Sequence, residues 1–436
     1  MNIGDESKVK PVKVGLLGLG TVGTGVVRIV EGHQEDLMGQ VGSPIVIEKV
    51  LVQNVEKLRN IDIDSSKLTI DPWEIIRHPE IDVIVEVMGG IETTKEYLLE
   101  ALSRGKHVVT ANKDLMALHG REILAKATEN RCDVFYEASV AGGIPIIRTL
   151  IEGFSSDRIT KIMGIVNGTT NFILTKMSQE GASYSDVLKE AQQLGYAEAD
   201  PTSDVEGLDA ARKMTILSRL GFRSEVGLED VSVKGISGVS KEDIAYAKRL
   251  GYVVKLLGIA ERQDDSISVS VQPTMVKATH PIASVNGVFN AVYVHGEAVG
   301  ETMFYGAGAG ELPTATSIVA DLVAVVKNLK IGVNGLHGAG AYKERVLKSD
   351  EQINSKYFLR LHVADRAGVL ARITQVFAEY EVSLESVIQQ PNSELPEAEI
   401  IVVTHNASKA AMNKVVDAFQ TLDVIQNVKS VYRVEG

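Results

Sequence analysis

The chain has 436 residues, 44% of them hydrophobic and 23% charged, with a formal net charge of -12. That length calls for two or three domains and that composition for ordinary globular cores, while the acidic balance speaks against nucleic acid, whose phosphates would be repelled with no basic patch to offset them. No apolar run reads as long enough to span a bilayer, so no membrane partner is expected, and the single Cys132 suits a reducing cytoplasm. The polar stretch Met1 to Lys10 carries no signal-like segment and reads as a disordered tail.

Val12 to Leu17 reads as a buried strand that runs into Gly18-Leu19-Gly20-Thr21-Val22-Gly23, and Val26, Val27, Ile29 and Val30 then repeat at helical spacing. This is G-x-G-x-x-G between a strand and a helix, the context in which the glycines allow a tight turn, a close pyrophosphate and close helix packing. Gly18, Gly20, Thr21, Val22 and Gly23 are therefore candidate dinucleotide contacts; the alternative is a glycine-rich turn in another α/β domain. The second strand, Ile45 to Val52, ends in Gln53 and Asn54, with Lys57 and Arg59 beyond. An acid is expected there when the 2′-hydroxyl of NAD is read, whereas Lys57 and Arg59 could pair with a 2′-phosphate. NADPH is the expected cofactor, with NADH as the alternative.

Strands Ile81 to Val87, His107 to Thr110 and Asp133 to Glu137 alternate with helical patterns at Thr94 to Ser103 and Leu115 to Glu129, giving a doubly wound parallel sheet with ligands beyond the strand C-termini. Lys113 stands at such an end, as a site residue or a surface lysine. Glu137 to Pro145 places a carboxylate before a small-residue loop whose carbonyls could hold a hard cation, although such a loop alone is more often a turn.

From Ile159 onward, strands such as Lys161 to Asn167 and Ile267 to Pro273 mix with helices Tyr184 to Leu194, Val205 to Arg219 and Lys241 to Leu250, an α+β arrangement. Acid gathers in Gly195 to Pro201, Asp204 and Glu206. A helix is expected to begin near Ser203 or Asp204, which puts Asp209 and Lys213 on one face. A lysine beside a carboxylate in a partly dry pocket is a candidate proton donor; an exposed i,i+4 pair would be worth only about 0.3 to 0.5 kcal/mol. Gly306 to Gly310 allows close backbone approach, an apolar helix spans Ala315 to Leu329, and Gly332 to Lys356 reads as a linker. Residues 357–436 follow the order βαββαβ, a ferredoxin-like unit with no nucleophile, base or metal cluster, hence a binding or assembly module.

With these pieces the chain resembles homoserine dehydrogenase of the monofunctional kind with a C-terminal ACT domain. The resemblance rests on Gly18 to Gly23, Thr110-Ala111-Asn112-Lys113, Asn167-Gly168-Thr169-Thr170-Asn171, Gly195 to Pro201 with Gly207 to Lys213, and Gly308 to Thr314. It implies reversible reduction of L-aspartate 4-semialdehyde to L-homoserine by a nicotinamide cofactor. Lys213 matches the acid/base lysine, Lys113 a second lysine that also meets the cofactor, and Glu198 the acceptor of the substrate's ammonium. Thr169, Tyr196, Asp204 and Asp209 match further contacts or orienters, and Gly310 a cofactor contact. Glu137 with the carbonyls of Val140, Gly142 and Ile144 matches a monovalent-cation site, sodium in most descriptions.

The domains implied are a tail at 1–10, a Rossmann domain at 11–145, a catalytic and dimerisation domain at 146–333 whose helix 315–329 is a candidate to pack back on the first, a linker at 334–355 and an ACT domain at 356–436. No kinase-like segment stands before the first strand, so the expectation is the stand-alone enzyme. Threonine is the implied effector, and pairing of ACT units to cover sheet edges and one face points to a homodimer or homotetramer. The rival readings are another amino-acid dehydrogenase of similar plan and a non-catalytic metabolite sensor.

Overall fold

The structure, a computed structural model, describes residues 10–334, 343–391 and 397–436. The expected disordered tail, apart from Lys10, and the centre of the expected linker, 335–342, lie outside these residues.

The first half alternates strand and helix: β1 (Val12–Leu17), α1 (Thr21–Gly32), α2 (Gln34–Val41), β2 (Ile45–Leu51), β3 (Leu68–Thr69), α3 (Pro72–Ile76), β4 (Val83–Glu86), α4 (Glu92–Ser103), β5 (His107–Thr110), α5 (Lys113–Glu129), β6 (Val134–Phe135) and the short α6 (Ile146–Arg148). The sheet order is β3-β2-β1-β4-β5-β6, and its neighbouring strands pair in parallel. This is the doubly wound order in which the first crossover reverses direction beside β1, leaving the C-terminal ends of β1 and β4 open to a ligand. β3 has two residues, too few to leave a periodicity in the sequence.

The second half comprises β7 (Ile159–Ile165), α7 (Gly168–Glu180), α8 (Tyr184–Gln193), α9 (Thr202–Val205), α10 (Leu208–Phe222), β8 (Val231–Val233), α11 (Lys241–Arg249), β9 (Tyr252–Gln263), β10 (Ser266–Lys277), β11 (Phe289–Gly296), β12 (Gly300–Ala307), α12 (Glu311–Ile331), β13 (Val346–Leu347), β14 (Asn354–Ala364), α13 (Val369–Glu379), β15 (Leu384–Pro391), β16 (Glu397–Thr404), β17 (Ala407–Ser408), α14 (Lys409–Thr421) and β18 (Ile425–Glu435). The helix expected from Val205 to Arg219 is two helices, because Gly207 at φ +79° takes a left-handed turn that ends α9 and restarts the chain as α10.

The chain divides into two compact units, one from segments 1–158, 215–228 and 304–344, the other from 159–214, 229–303 and 345–436. In the first, α12 returns to the core of the parallel sheet, where Ala315, Ile318, Val319, Leu322 and Val326 are buried with Val26, Val27 and Val30 of α1. Gly25 makes that approach possible, since a Cβ there would lie 2.7 Å from the Glu311 carbonyl oxygen. The expectation that no apolar segment is long enough to cross a bilayer needs correction: α12, with 21 residues, passes on length and composition. Its apolar residues are instead the buried face of a core helix.

In the second unit a mixed sheet runs β12-β11-β7-β9-β10-β18-β14-β16-β15. The ferredoxin-like unit is thus not a separate bead. Its last strand, β18, pairs in parallel with β10 (Thr274↔Arg433, Met275↔Val434, Val276↔Glu435), so one sheet continues from β10 into the ferredoxin-like unit. Helices α13 and α14 cover one face with Ile373, Phe377, Val415 and Phe419. On the strand face carrying Arg360, Ser430 and Tyr432, all three side chains donate to the buried Asp243 of α11, at 2.8, 2.6 and 2.9 Å. An edge and part of a face that the sequence argument reserved for a second copy are therefore covered by the chain itself.

Candidate functional site

The glycine-rich turn has the geometry its motif requires. Gly18, at φ +108°, turns the chain at the end of β1, and a Cβ on Gly23 would lie 2.2 Å from the Gly18 carbonyl oxygen, so α1 can begin only if that residue is glycine. Gly20, the N-cap of α1, is different: a Cβ there meets nothing within 4 Å. α1 has no acid in its first turn and no side-chain cap, so Thr21 and Val22 begin a helix whose N–H groups and dipole favour an anion. These residues fit a dinucleotide's pyrophosphate.

Beyond β2, Lys57 is exposed and Arg59 half-buried. The Arg59 guanidinium donates to the carbonyls of Asn54, Val55 and Lys57, closing its own loop.

The ends of β4 and β5 are tied by Glu86, which the sequence reading did not single out, and by Thr110 and Asn112, which it read only as part of a motif. The Glu86 carboxylate is fully buried and accepts from the Met88 and Gly89 amides at 2.9 and 3.0 Å and from the Thr110 hydroxyl at 2.6 Å. Burial raises its pKa, and those three donors oppose the rise. Thr110 Oγ1 in turn accepts from the Asn112 amide at 3.0 Å, while the Asn112 side chain caps α5 at Leu115 N and donates to the Gly90 carbonyl at 2.7 Å. Lys113 is thereby fixed as the first residue of α5. The signal was available: Thr and Asn ahead of a helical run mark a capped start.

The proposed cation loop is buried and polar. Glu137 accepts from the amides of Ile147 and Arg148 at 2.7 and 2.8 Å, and its own amide donates to Asp321. Arg148 pairs with Asp321 at 2.8 Å. Burial raises both acids, Asp321 to about 7. Ala141 and Gly142 both have positive φ, and Gly142 presses on the glycine run, a Cβ there lying 2.5 Å from the Gly308 carbonyl oxygen. The Gly142 carbonyl accepts from Ser317 and that of Ile144 from the Ile146 amide. Each engaged oxygen keeps a second lone pair, and two carboxylates face one guanidinium, so an all-oxygen set fits a hard monovalent cation. Gly310, at φ +126°, caps α12 at the end of the same run.

The second unit brings together most of the substrate residues named from the sequence. Asn167, at the end of β7, caps α7 through its Oδ1 and donates from Nδ2 to Asp204 at 2.7 Å and Asp209 at 2.9 Å. Lys213 Nζ donates to Asp209 Oδ2 and to the Val166 carbonyl, both at 2.7 Å. The side chains of Lys213 and Asp209 are 13% and 5% exposed, so this is not a solvated surface pair. Burial and the neighbouring Asp209 raise Asp204's pKa, while Asn167 opposes the rise. Thr169 donates to the Tyr196 carbonyl at 2.6 Å, and the Tyr196 ring lies 5.0 Å from Phe172. Glu198 stands apart: it is exposed, and Gln192 holds its backbone carbonyl at 3.1 Å. Asn167, the hub of this cluster, was read only as part of a motif. Its role follows from the fold, which carries a strand end to two acids far along the chain.

Residues 18–137 match the family described as "Homoserine dehydrogenase, NAD binding domain", residues 145–323 the family "Homoserine dehydrogenase", and residues 357–423 the "ACT domain". A homoserine dehydrogenase of Bacillus subtilis is 59% identical, covering 98% of this chain and 99% of its own, and one of Mycobacterium tuberculosis is 43% identical over 99% of each. Among solved structures, a homoserine dehydrogenase from Thiobacillus denitrificans superposes with a TM-score of 0.91 at 41% identity, covering 98% of this chain and 99% of that one. A hyperthermophilic archaeal homoserine dehydrogenase in complex with NADPH gives 0.63 at 26% identity, over 74% of this chain and 98% of its own.

Proposed function

We propose a residue-level reaction for this chain, which belongs to the homoserine dehydrogenase family and is an NAD(P)-dependent oxidoreductase interconverting L-aspartate 4-semialdehyde and L-homoserine. The bound nicotinamide supplies the hydride that the aldehyde carbon receives. As charge develops on the carbonyl oxygen, Lys213 donates a proton to it; in the reverse direction Lys213 takes the hydroxyl proton. The observation that carries this reading is the pairing of Lys213. An ammonium has three N–H groups, and Asp209 and the Val166 carbonyl engage two, leaving one for a substrate oxygen.

Asp209 orients the lysine, and Asn167 holds Asp209 and Asp204 at a fixed separation. Glu198, exposed to solvent, receives the substrate ammonium, with Thr169, Tyr196 and Asp204 shaping the remainder. Lys113, the first residue of α5, contacts the cofactor's nicotinamide end. Gly18, Gly20, Thr21, Val22, Gly23 and Gly310 hold the cofactor. NADPH is favoured over NADH: Gln53 and Asn54, not an acid, stand at the end of β2, Lys57 and Arg59 lie beyond, and an archaeal relative has been solved with NADPH. Glu137 and the carbonyls of Val140, Gly142 and Ile144 hold a monovalent cation, sodium by preference, whose role is to neutralise a buried acidic cluster.

The ACT domain supports amino-acid regulation, and we assign threonine as effector, a homodimer or homotetramer as the working form and the cytoplasm as its place. The test is an oxidation assay with NADPH and NADH in parallel, offering aspartate semialdehyde beside other small aldehydes. The reading expects aspartate semialdehyde to be strongly preferred and NADPH to give the higher kcat/KM; equal rates with simple aldehydes would remove Glu198 and its neighbours from substrate recognition.

A further inference from the structure

At the start of β7, a cavity of ≈ 400 Å³ opens on the second unit, lined among others by Lys161, Glu261, Arg262, His295, Lys348 and Asn354. We propose that this cavity binds a small multivalent oxyanion, carboxylate- or phosphate-bearing, between Lys161 and Lys348, and that occupancy ties the segment leading into the regulatory domain to the catalytic sheet.

The charge distribution carries the argument. Three cations among these lining residues face one carboxylate, in a protein whose overall charge is -12. That carboxylate is already engaged: Glu261 pairs with Lys161 at 3.0 Å and with the buried Arg433 at 2.9 Å. Burial pushes Glu261 up, but Arg433 and Lys161 overcome this and hold it down to about 2, so it stays ionised and committed. Lys161 also reaches Glu435 at 2.7 Å.

Lys348 is left over. It is half-buried, and among the described residues no acceptor meets its ammonium; only its amide is engaged, by the Ile267 carbonyl at 2.8 Å. Its pKa is lowered first by burial, with Arg433 and Lys161 repelling it and Glu261 opposing. An oxyanion seated against Lys348 and Lys161 would offset both the desolvation and the repulsion. The volume lies in the range of small-ligand sites.

The position gives the site a consequence. Val346 and Leu347 pair with Ser266 and Ile267 of β10, and Asn354 opens β14, so Lys348 and Asn354 bracket the entry to the ferredoxin-like unit. Lys161 lies on β7, whose far end carries the Val166 carbonyl that holds Lys213, roughly 15 to 20 Å away at about 3.3 Å per strand residue. The cavity is thus distinct from the substrate cluster yet joined to it by one strand.

The test is calorimetric titration of the full-length protein saturated with NADPH, which keeps phosphate from the pyrophosphate cradle. Inorganic phosphate and succinate are titrated in separate arms at constant ionic strength, against wild type and Lys348→Met. The expected result is one site per chain in at least one arm, weakened at least tenfold by Lys348→Met, with turnover in the absence of the anion unchanged. Which arm binds identifies the headgroup. No binding in either arm, or equal binding by Lys348→Met, overturns the site. Hydrogen exchange of residues 346–354 should slow when the anion is added to wild type; unchanged exchange at saturation overturns the tie.

Discussion

Lys255 on β9 offers a direct check on how this structure treats buried charge. Its side chain is among the largest fully buried ones, held by Asn171 Oδ1 at 3.0 Å, Asn286 Oδ1 at 3.3 Å and the Val285 carbonyl, all neutral acceptors. Burial lowers its pKa from 10.5 to about 8. A drop of that size corresponds to about 3 kcal/mol of folding stability, at about 1.36 kcal/mol per unit. The sign follows from proton binding: between pH 8 and 10.5 the unfolded chain binds the proton and the folded chain does not, so stability rises with pH there. The penalty is full below about pH 8, and about 2 kcal/mol of it is recovered by pH 9.5. Urea unfolding of wild type and Lys255→Met, the latter keeping the stem, should be compared from pH 7 to 9.5. The stability difference should move in favour of wild type by about 2 kcal/mol over that range. A difference independent of pH would refute the burial of a charged lysine at this position.

The glycine turn yields a contrasting pair: Gly20→Ala should fold normally, since nothing lies within 4 Å of the added methyl, and raise the cofactor KM at least about tenfold, whereas Gly23→Ala should lower the melting temperature itself. Glu198→Gln should raise the KM for aspartate semialdehyde about tenfold or more with little change in kcat, and an unchanged KM would place Glu198 outside the substrate's reach. Replacing sodium by choline should lower the melting temperature of wild type but not of Glu137→Gln; equal responses would remove Glu137 from a cation site. Threonine should inhibit wild type and lose potency when Asp365, in the loop before α13, is replaced by alanine, as followed by the inhibition midpoint.

Truncation after Lys348 looks attractive from the sequence as a way to detach regulation from catalysis. The structure argues otherwise, because it would strip β18 from β10 and remove Arg360 and Arg433 from the buried Asp243 and half-buried Glu261. Breaking a buried pair by removing one partner costs about 3 to 5 kcal/mol, so the truncated chain should lose stability rather than only its regulation.

Local patterns were legible where short-range chemistry decides them. The strand, glycine turn and helix at 12–32 can be read from one contiguous stretch, as can the i,i+4 placement of Asp209 and Lys213. What escaped depends on residues distant in sequence. Nothing near Lys213 shows that its second partner is the Val166 carbonyl, 47 positions away, or that Asn167 holds both Asp204 and Asp209. The break at Gly207 was hidden by apolar residues that continue at helical spacing on both sides. The continuous sheet was hidden because β10 and β18 each alternate as ordinary strands, and alternation does not say which neighbour an edge will choose.

The central claim is that Lys213, held by Asp209 and the Val166 carbonyl, transfers the proton to and from the reacting oxygen. The measurement that tests it most directly is turnover of aspartate semialdehyde by Lys213→Ala under saturating NADPH, with cofactor affinity determined on the same preparation. The account predicts a fall in kcat of at least about a hundredfold, the scale of a lost general acid, with NADPH binding nearly unchanged. Wild-type turnover in the variant would contradict it and leave the Asp209–Lys213 pair a structural one.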